Sequence, residues 1–295
     1  VTMHDDQVDV TVELAAVLVR EQFPQWRGLP LRPLRSSGTV NTIVRIGDHL
    51  TARFPLRLAD PAAARSALER EARASAELAR VSPFPTPEPV ALGEPGAGYA
   101  MPWSVQTWVP GTPATDADPS ASEPFAEDLA ALIAALRATD TRGRRFSGGG
   151  RGGELADHDA WMEKCFAESA DLLDVPRLRR LWDRFRRLPR GGADVMSHGD
   201  LIPGNVLVAD GRLAGVLDGG GFGPADPALD LVSAWTLLES GPREVLRTSL
   251  GCGDLEWERG AAWAFAQAMG MVWYYVDSNP TMSETGRRTL DRILE

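Results

Sequence analysis

The residue types best suited to chemistry lie in one stretch, residues 197–230, which reads SHGDLIPGNVLVADGRLAGVLDGGGFGPADPALD. Asp200 and Asn205 stand five residues apart, and Pro203-Gly204 between them forces a loop rather than a helix. A β-type hairpin follows, turning at Asp210-Gly211, and delivers Asp218 directly before Gly219, Gly220 and Gly221. Two carboxylates and one amide are thereby expected at one edge of a hairpin. Hard oxygen donors of this kind suit Mg²⁺, which takes one or two carboxylates and completes its shell with water and phosphate oxygens. Phosphoryl transfer asks for little more. It needs a residue to accept or orient a hydroxyl proton and cations to neutralise the phosphates. Asp200 suits the first task, Asn205 and Asp218 the second.

Elements of two kinds must position these residues. Val8, Val12, Leu14, Ala15, Leu18 and Val19 recur at helical spacing within 5–23, ending before Pro24. After Pro30, TIVRI (42–46), a turn at Gly47-Asp48 and HLTARF (49–54) predict a hairpin. Pro61 opens an Ala/Glu/Arg-rich helix to Arg80. A proline-punctuated stretch leads to a strand at 90–92, and a Gly-rich turn to another at 99–109, stopped by Pro110-Gly111. The first third therefore reads as a mainly antiparallel sheet with one inserted helix. From Thr112 the pattern turns helical, over 124–138, 158–173 and 176–187, with short strands at 206–208 and 213–217 and helices from 228 onward. The Gly- and Arg-rich segment 143–153 is expected to be a mobile loop.

His198-Gly199-Asp200, followed at five residues by Asn205, resembles the catalytic loop of aminoglycoside phosphotransferases and is similar to the matching loop of protein kinases. Asp218 with Gly219-Gly220 resembles the metal-binding Asp-Phe-Gly element of that superfamily. Asp226-Pro227-Ala228 and then Asp230-Leu231 resemble its continuation into the next helix. The likeness covers about residues 30–240 and is clearest at 197–231. It implies an α+β, two-lobed protein-kinase-like fold. Residues 1–108 would form an antiparallel-sheet, nucleotide-binding lobe, and 109–295 a mainly helical catalytic and substrate-binding lobe. It implies Asp200 as the catalytic residue and Asn205 and Asp218 as the holders of Mg²⁺. ATP is the expected phosphate donor, with GTP open. The reaction implied is transfer of the γ-phosphate to a hydroxyl of a small molecule, an aminoglycoside or similar antibiotic. A metabolite of choline, homoserine or sugar type is the alternative acceptor, and a nucleotide-binding pseudokinase the alternative of another class. Joint presence of Asp200, Asn205 and Asp218 counts against the pseudokinase, because binding alone needs no proton acceptor. Two departures stand out. Gly219 replaces a large side chain, so looser packing is expected there. Gly199 replaces the Arg of protein kinases, which removes the receiver of an activation-loop phosphate.

The same resemblance assigns nucleotide contacts in the first lobe. Ser37, Gly38 and Thr39 lie between two strand patterns, where the family covers the phosphates. Arg53 stands on the strand where the family carries Lys, keeping the charge and offering two donors to phosphate. Glu71, eighteen residues further on, is its expected helix partner, with Glu69 in reserve. MPWSVQTWVPG (101–111) resembles the run into the interlobe hinge, so the backbone of Thr107, Trp108 and Val109 is expected to meet the adenine edge. His198 is expected to pack and hydrogen-bond, and Asp230 to anchor the catalytic-loop backbone.

Composition narrows the partners. With 43% hydrophobic and 24% charged residues, the 295-residue chain reads as an ordinary globular protein. Its net charge of -10 argues against nucleic acid and fits a cationic ligand. No apolar run approaches the roughly 20 residues of a membrane span, and the acidic start lacks the pattern of a signal peptide, so a soluble, cytoplasmic protein without membrane partners is expected. Cys165 and Cys252 read as core residues. The aromatic set Trp257, Trp263, Trp273, Tyr274 and Tyr275 reads first as core packing and second as a substrate wall.

Overall fold

A computed structural model describes residues 10–34 and 41–295, so Ser37, Gly38 and Thr39 lie outside the described residues. The chain divides into two compact units. One holds the chain to Arg80, residues 85–110 and residues 218–220; the other holds 81–84, 111–217 and 221–295.

The first unit begins with α1 (Val12–Gln22), whose Thr11 cap accepts the Leu14 N–H and which buries Ala15, Leu18 and Val19. Five strands follow, with a helix between the third and fourth: β1 (Leu31–Leu34), β2 (Asn41–Ile46), β3 (Leu50–Pro55), α2 (Pro61–Val81), β4 (Pro89–Gly93) and β5 (Trp103–Thr107). They form one antiparallel sheet in the order β1-β2-β3-β5-β4. Period-two alternation sorts β3. Ala52 and Phe54 enter a core with Leu18, Val19, Val44, Ile46 and Trp103, and Phe54 stacks on Trp103 at 4.8 Å. Burying side chains of that size contributes roughly 1.5–3 kcal/mol each. Arg53 consequently points to the opposite face, where it pairs in register with Ser104 of β5. The expected strand 99–109 is shorter than its pattern. Tyr99 makes only an isolated bridge to Gly96, and Pro102 precedes the first paired residue, Trp103.

The second unit runs through β6 (Thr112–Pro113), α3 (Ala114–Ala117), α4 (Glu123–Arg137), α5 (Asp159–Glu168), α6 (Val175–Phe185), β7 (Val195–Ser197), β8 (Val206–Ala209), β9 (Arg212–Val216), β10 (Gly223–Ala225), α7 (Val232–Leu237), α8 (Ser240–Leu250), α9 (Asp254–Tyr274) and α10 (Pro280–Leu294). β6, β8 and β9 make one small antiparallel sheet, and β7 pairs with β10 in another. α9 is the central helix: Trp263, Phe265, Met269 and Val272 are buried along it. Cys165 and Cys252 are buried and free, and burial pushes the Cys165 thiol up to about 11. α5 stops at Glu168, short of the expected 173, because the Ser169 carbonyl turns to accept the N–H groups of Leu172 and Leu173. Among the described residues no helix is long and apolar enough to cross a membrane.

The segment 143–153 departs most from its expectation. It is irregular but fastened at several points. The Phe146 N–H donates to Asp194 Oδ2 at 2.8 Å, and the Gly152 carbonyl accepts the Asp226 N–H at 2.8 Å. Gly152 has φ +122°, and a Cβ there would lie 2.8 Å from Ala225 Cβ, so only glycine lets the backbone pass so close to β10. Asp226 is in turn held by the fully buried Arg259, which also donates to the Leu188 carbonyl at 2.6 Å.

Candidate active site

In the second unit, β7 ends at Ser197 and hands the chain to the loop bearing Asp200 and Asn205. Its first peptide groups are clamped by one buried side chain: Asp230 accepts the His198 N–H at 3.0 Å and the Gly199 N–H at 2.9 Å. Two charge-assisted bonds to a single carboxylate fix where the loop starts. The His198 ring is 1% exposed and bridges two backbone positions. Its Nδ1 accepts the Asp200 N–H at 3.3 Å, which leaves Nε2 to donate to the Leu217 carbonyl at 2.9 Å. That geometry makes the imidazole a brace between the loop and the end of β9, not a base.

Asp200 therefore emerges from a braced backbone. Its Oδ2 accepts from Asn205 Nδ2 at 2.9 Å, and the same nitrogen donates to the Asp200 carbonyl at 3.0 Å. The Asn205 carbonyl accepts the Leu217 N–H at 2.7 Å, tying the loop to the hairpin a second time. The Asp200 side chain remains 36% exposed, open enough to meet a ligand. Its Oδ1 accepts from two residues that sequence reasoning missed, Arg151 Nη2 at 2.7 Å and Gln267 Nε2 at 2.8 Å. Arg151 sat unnoticed in a Gly-rich loop, and Gln267 is one polar residue in an otherwise apolar run of α9. That lone amide on a buried helix was the only available signal.

In the first unit, Arg53 Nη2 donates to Asp218 Oδ1 at 3.0 Å. The ion pair expected between Arg53 and Glu71 is not the one formed. Arg53 reaches the carboxylate of the glycine run, and Glu71 acts on it through space. Glu71 keeps an exposed surface, yet protein crowded about its carboxyl raises its pKa above the usual range; the Arg53 charge opposes this and Asp218 adds to it. Glu69, the reserve, pairs instead with Arg65 at 3.1 Å. Asp218 has φ +60°, a left-handed conformation that Asp tolerates far better than a β-branched residue. Packing after it is tight and not loose as expected. Leu78 of α2, 1% exposed, occupies the space that a Cβ on Gly219 would need. Beside Arg53, Glu71 and Gly220 a cavity of about 210 Å³ opens between α2 and strands β4 and β5. In the run 107–109, the Thr107 N–H is bonded to the Glu88 carbonyl at 2.9 Å and the Trp108 N–H to the His49 carbonyl at 2.7 Å, so two of the three N–H groups expected to meet a nucleotide are already committed.

Taken one unit at a time, the two donors expected for magnesium are each of a kind that suits it. Asn205 commits its side-chain nitrogen twice to Asp200, which leaves the side-chain Oδ1 for a cation, and in the other unit Asp218 offers a half-exposed carboxylate. Among the described residues no group of three or more His, Cys, Asp and Glu forms a ready-made cage. A cage is not what Mg²⁺ needs when phosphate and water complete its shell.

The aromatic set divides. Trp263 is buried and donates to Asp226 Oδ2 at 2.9 Å, and Trp257 packs on Trp235 at 4.8 Å. Tyr274 at the end of α9 is exposed.

The family model described as "Phosphotransferase enzyme family" matches residues 31–264. No curated protein sequence matches the chain significantly. Among solved structures, the GDP complex of wild-type aminoglycoside 2′-phosphotransferase-IIIa superposes with a TM-score of 0.72 at 17% identity, covering 97% of this chain and 99% of that one. An aminoglycoside phosphotransferase in complex with GDP and kanamycin gives 0.73 at 18% identity, over 94% and 97% of the two chains. A macrolide 2′-phosphotransferase from Brachybacterium faecium, an apoenzyme, gives 0.63 at 20% identity, over 94% and 98%. At such identities the structural likeness speaks for the fold, which is α+β and protein-kinase-like. The sequence match speaks for descent: across most of its length, and through both the Arg53 strand and the Asp200 loop, the chain belongs to the phosphotransferase enzyme family.

Proposed function

We propose that the protein is an O-phosphotransferase that moves the γ-phosphate of ATP or GTP onto a hydroxyl of a small molecule, an aminoglycoside or similar antibiotic. The observation that carries this reading is the Asp200 carboxylate, held by Asn205 on a loop whose backbone Asp230 clamps, and still 36% exposed. A binding module has no use for a carboxylate fixed so closely. Solved relatives of the fold carry GDP, and one of them kanamycin, which supports a nucleotide donor and a hydroxyl-rich acceptor.

Asp200 accepts the hydrogen bond of the acceptor hydroxyl and aims its oxygen at the phosphorus. Because the transition state is largely dissociative, the proton leaves late, and orientation matters more than basicity. Arg53 holds phosphate oxygens, and the Val109 N–H meets the base. Asn205 and Asp218 would hold Mg²⁺, which when bound would supply positive charge against the phosphates. The net charge of -10 favours a cationic acceptor over an anionic one.

The test is release of ADP or GDP in Mg²⁺ against a panel of aminoglycosides, macrolides, choline and homoserine, with both nucleotides. Turnover on a drug, cut severely but still measurable in Asp200→Ala with nucleotide affinity retained, is the expected result. Asn205→Ala should weaken nucleotide binding as well as rate. Turnover on choline or homoserine alone would move the assignment to a metabolite kinase. Nucleotide-dependent stabilisation without turnover on anything would make the chain a binding protein.

A further inference from the structure

We propose that Arg151 and Gln267 are positioning residues for Asp200, fixing its carboxylate so that Oδ2 faces the acceptor hydroxyl. The inference rests on the phosphotransferase reading and adds to it two residues from outside the catalytic loop.

The geometry begins with an unusual concentration of donors. Arg151 Nη2 and Gln267 Nε2 both donate to Asp200 Oδ1, at 2.7 and 2.8 Å, while Oδ2 takes only the Asn205 amide at 2.9 Å. The terminal torsion of an aspartate is broad and roughly two-fold, so an isolated carboxylate swings and exchanges its oxygens. Here a quarter-turn would break three hydrogen bonds together, whereas a half-turn only exchanges two equivalent oxygens. Each carboxylate oxygen accepts about two hydrogen bonds. Oδ1 is therefore filled, and Oδ2 keeps one position for an incoming hydroxyl.

Each donor comes from a rigid support. Arg151 is also tied to the loop it serves, through a bond to the Gly199 carbonyl at 3.3 Å. Directly after it, Gly152 passes against Ala225 and bonds to Asp226, and a Cβ on Gly153 would stand 2.7 Å from Phe146. Phe146 is itself anchored to Asp194. The Gly-rich segment is thus docked on both sides of the one side chain that reaches Asp200. Gln267 projects from α9 beside Ala266 and Ala268, both buried.

The clamp is poorly explained as a stability device. The Arg151–Asp200 pair is partly exposed, at 23% and 36%, and pairs of that kind contribute about 0–1 kcal/mol. Arg151 Nη1 and Gln267 Oε1 are both shielded from solvent and have no hydrogen-bond partner among the described residues. Buried polar atoms of that sort cost roughly 1–3 kcal/mol each. The arrangement sacrifices stability in order to hold one carboxylate.

The experiment is a double-mutant cycle between Arg151 and Asp200, with Gln267→Leu as an independent arm. Turnover is read with the drug that the unaltered enzyme phosphorylates fastest in the panel above, and with water as acceptor. Arg151→Ala should lower kcat by about 10–100-fold, the effect of a small misplacement of a reacting group. Nucleotide Kd should stay unchanged. Arg151→Lys should recover much of the loss, and Gln267→Leu should repeat it in smaller measure. In the Asp200→Ala background, Arg151→Ala should cost less than about threefold, because the two residues act as a unit. Equal losses in both backgrounds, with a lowered Tm, would mean a structural role and overturn the inference. A rise in kcat would make the pair a resting-state lock and overturn it as well. Asp200→Ala retaining its kcat would instead remove the phosphotransferase reading itself. A crystal structure of the Arg151→Ala enzyme reads the same point without turnover. An Asp200 carboxylate spread over several orientations supports positioning, and a single orientation identical to that of the unaltered enzyme rules it out.

Discussion

The pair of Asp218 and Arg53, to which the proposed function gives a role with phosphate and metal, should contribute little to folding. Their pair is 3.0 Å long with side chains 19% exposed at Arg53 and 48% at Asp218, so its share of stability is about 0–1 kcal/mol. Asp218→Asn should leave the Tm within a few degrees of the parent's. In the same variant, Mg²⁺-dependent nucleotide binding should weaken, and turnover should fall on the order of a thousandfold, which corresponds to about 4 kcal/mol of transition-state stabilisation. Thermal melts beside nucleotide titrations and kcat separate the two effects. Arg53→Lys should keep substantial activity and Arg53→Ala should not, because the resembled family carries Lys at the matching place and the substitution keeps the positive charge. Near-normal turnover in Asp218→Asn at ordinary Mg²⁺ would refute the metal assignment.

At the scale of elements, the loop between β7 and β8 is held by partners far away in sequence. Asp230, next to the start of α7, accepts two of its N–H groups, and His198 braces it against Leu217. Removing the Asp230 carboxylate strands the buried His198 N–H and the half-buried Gly199 N–H, at about 1–3 kcal/mol each. Asp230→Ala should therefore lose about 3 kcal/mol in denaturant unfolding. Its kcat should drop with it, through the loop that carries Asp200. Asp230→Asn keeps one acceptor and should fall between. A variant that unfolds at the parent's denaturant midpoint would show that the loop is shaped by its own Pro203-Gly204 instead.

The whole second unit converges on Asp226 and Arg259, an ion pair exposed by only 1% and 0%. Arg259 also reaches the carbonyls of Leu188 and Gly153, and Trp263 donates to the same carboxylate. One buried pair thus joins α9, the chain after α6, the Gly-rich segment and the turn after β10. Breaking it from one side leaves an uncompensated buried charge, which costs about 3–5 kcal/mol. Arg259→Met should show that loss in equilibrium unfolding, and adding Asp226→Leu should recover part of it. If the single variant is as stable as the double, the pair is not a structural hub. Since Gly152 and Gly153 are among the bonded groups, the single variant should also lower kcat through Arg151.

Much of this was readable from residue order because it depends on neighbours in the chain. The spacing of Asp200 and Asn205 across Pro203-Gly204, the hairpin over 42–54 and the helix opened by Pro61 all rest on local sterics and periodicity. The strands β7 and β10 escaped notice because three residues are too few to show a period. The reach of residues 99–109 was overdrawn because Pro102 interrupts pairing inside an apolar run. Other features were settled only once distant segments met. Arg53 paired with Asp218 and not Glu71, Leu78 filled the space beside Gly219, and segment 143–153 turned from an expected mobile loop into a docked support. Arg151 and Gln267 meet Asp200 from 49 and 67 residues away. No periodicity or motif encodes such a contact, because it depends on how α9 and a glycine-rich turn pack, and packing is a property of the folded chain alone.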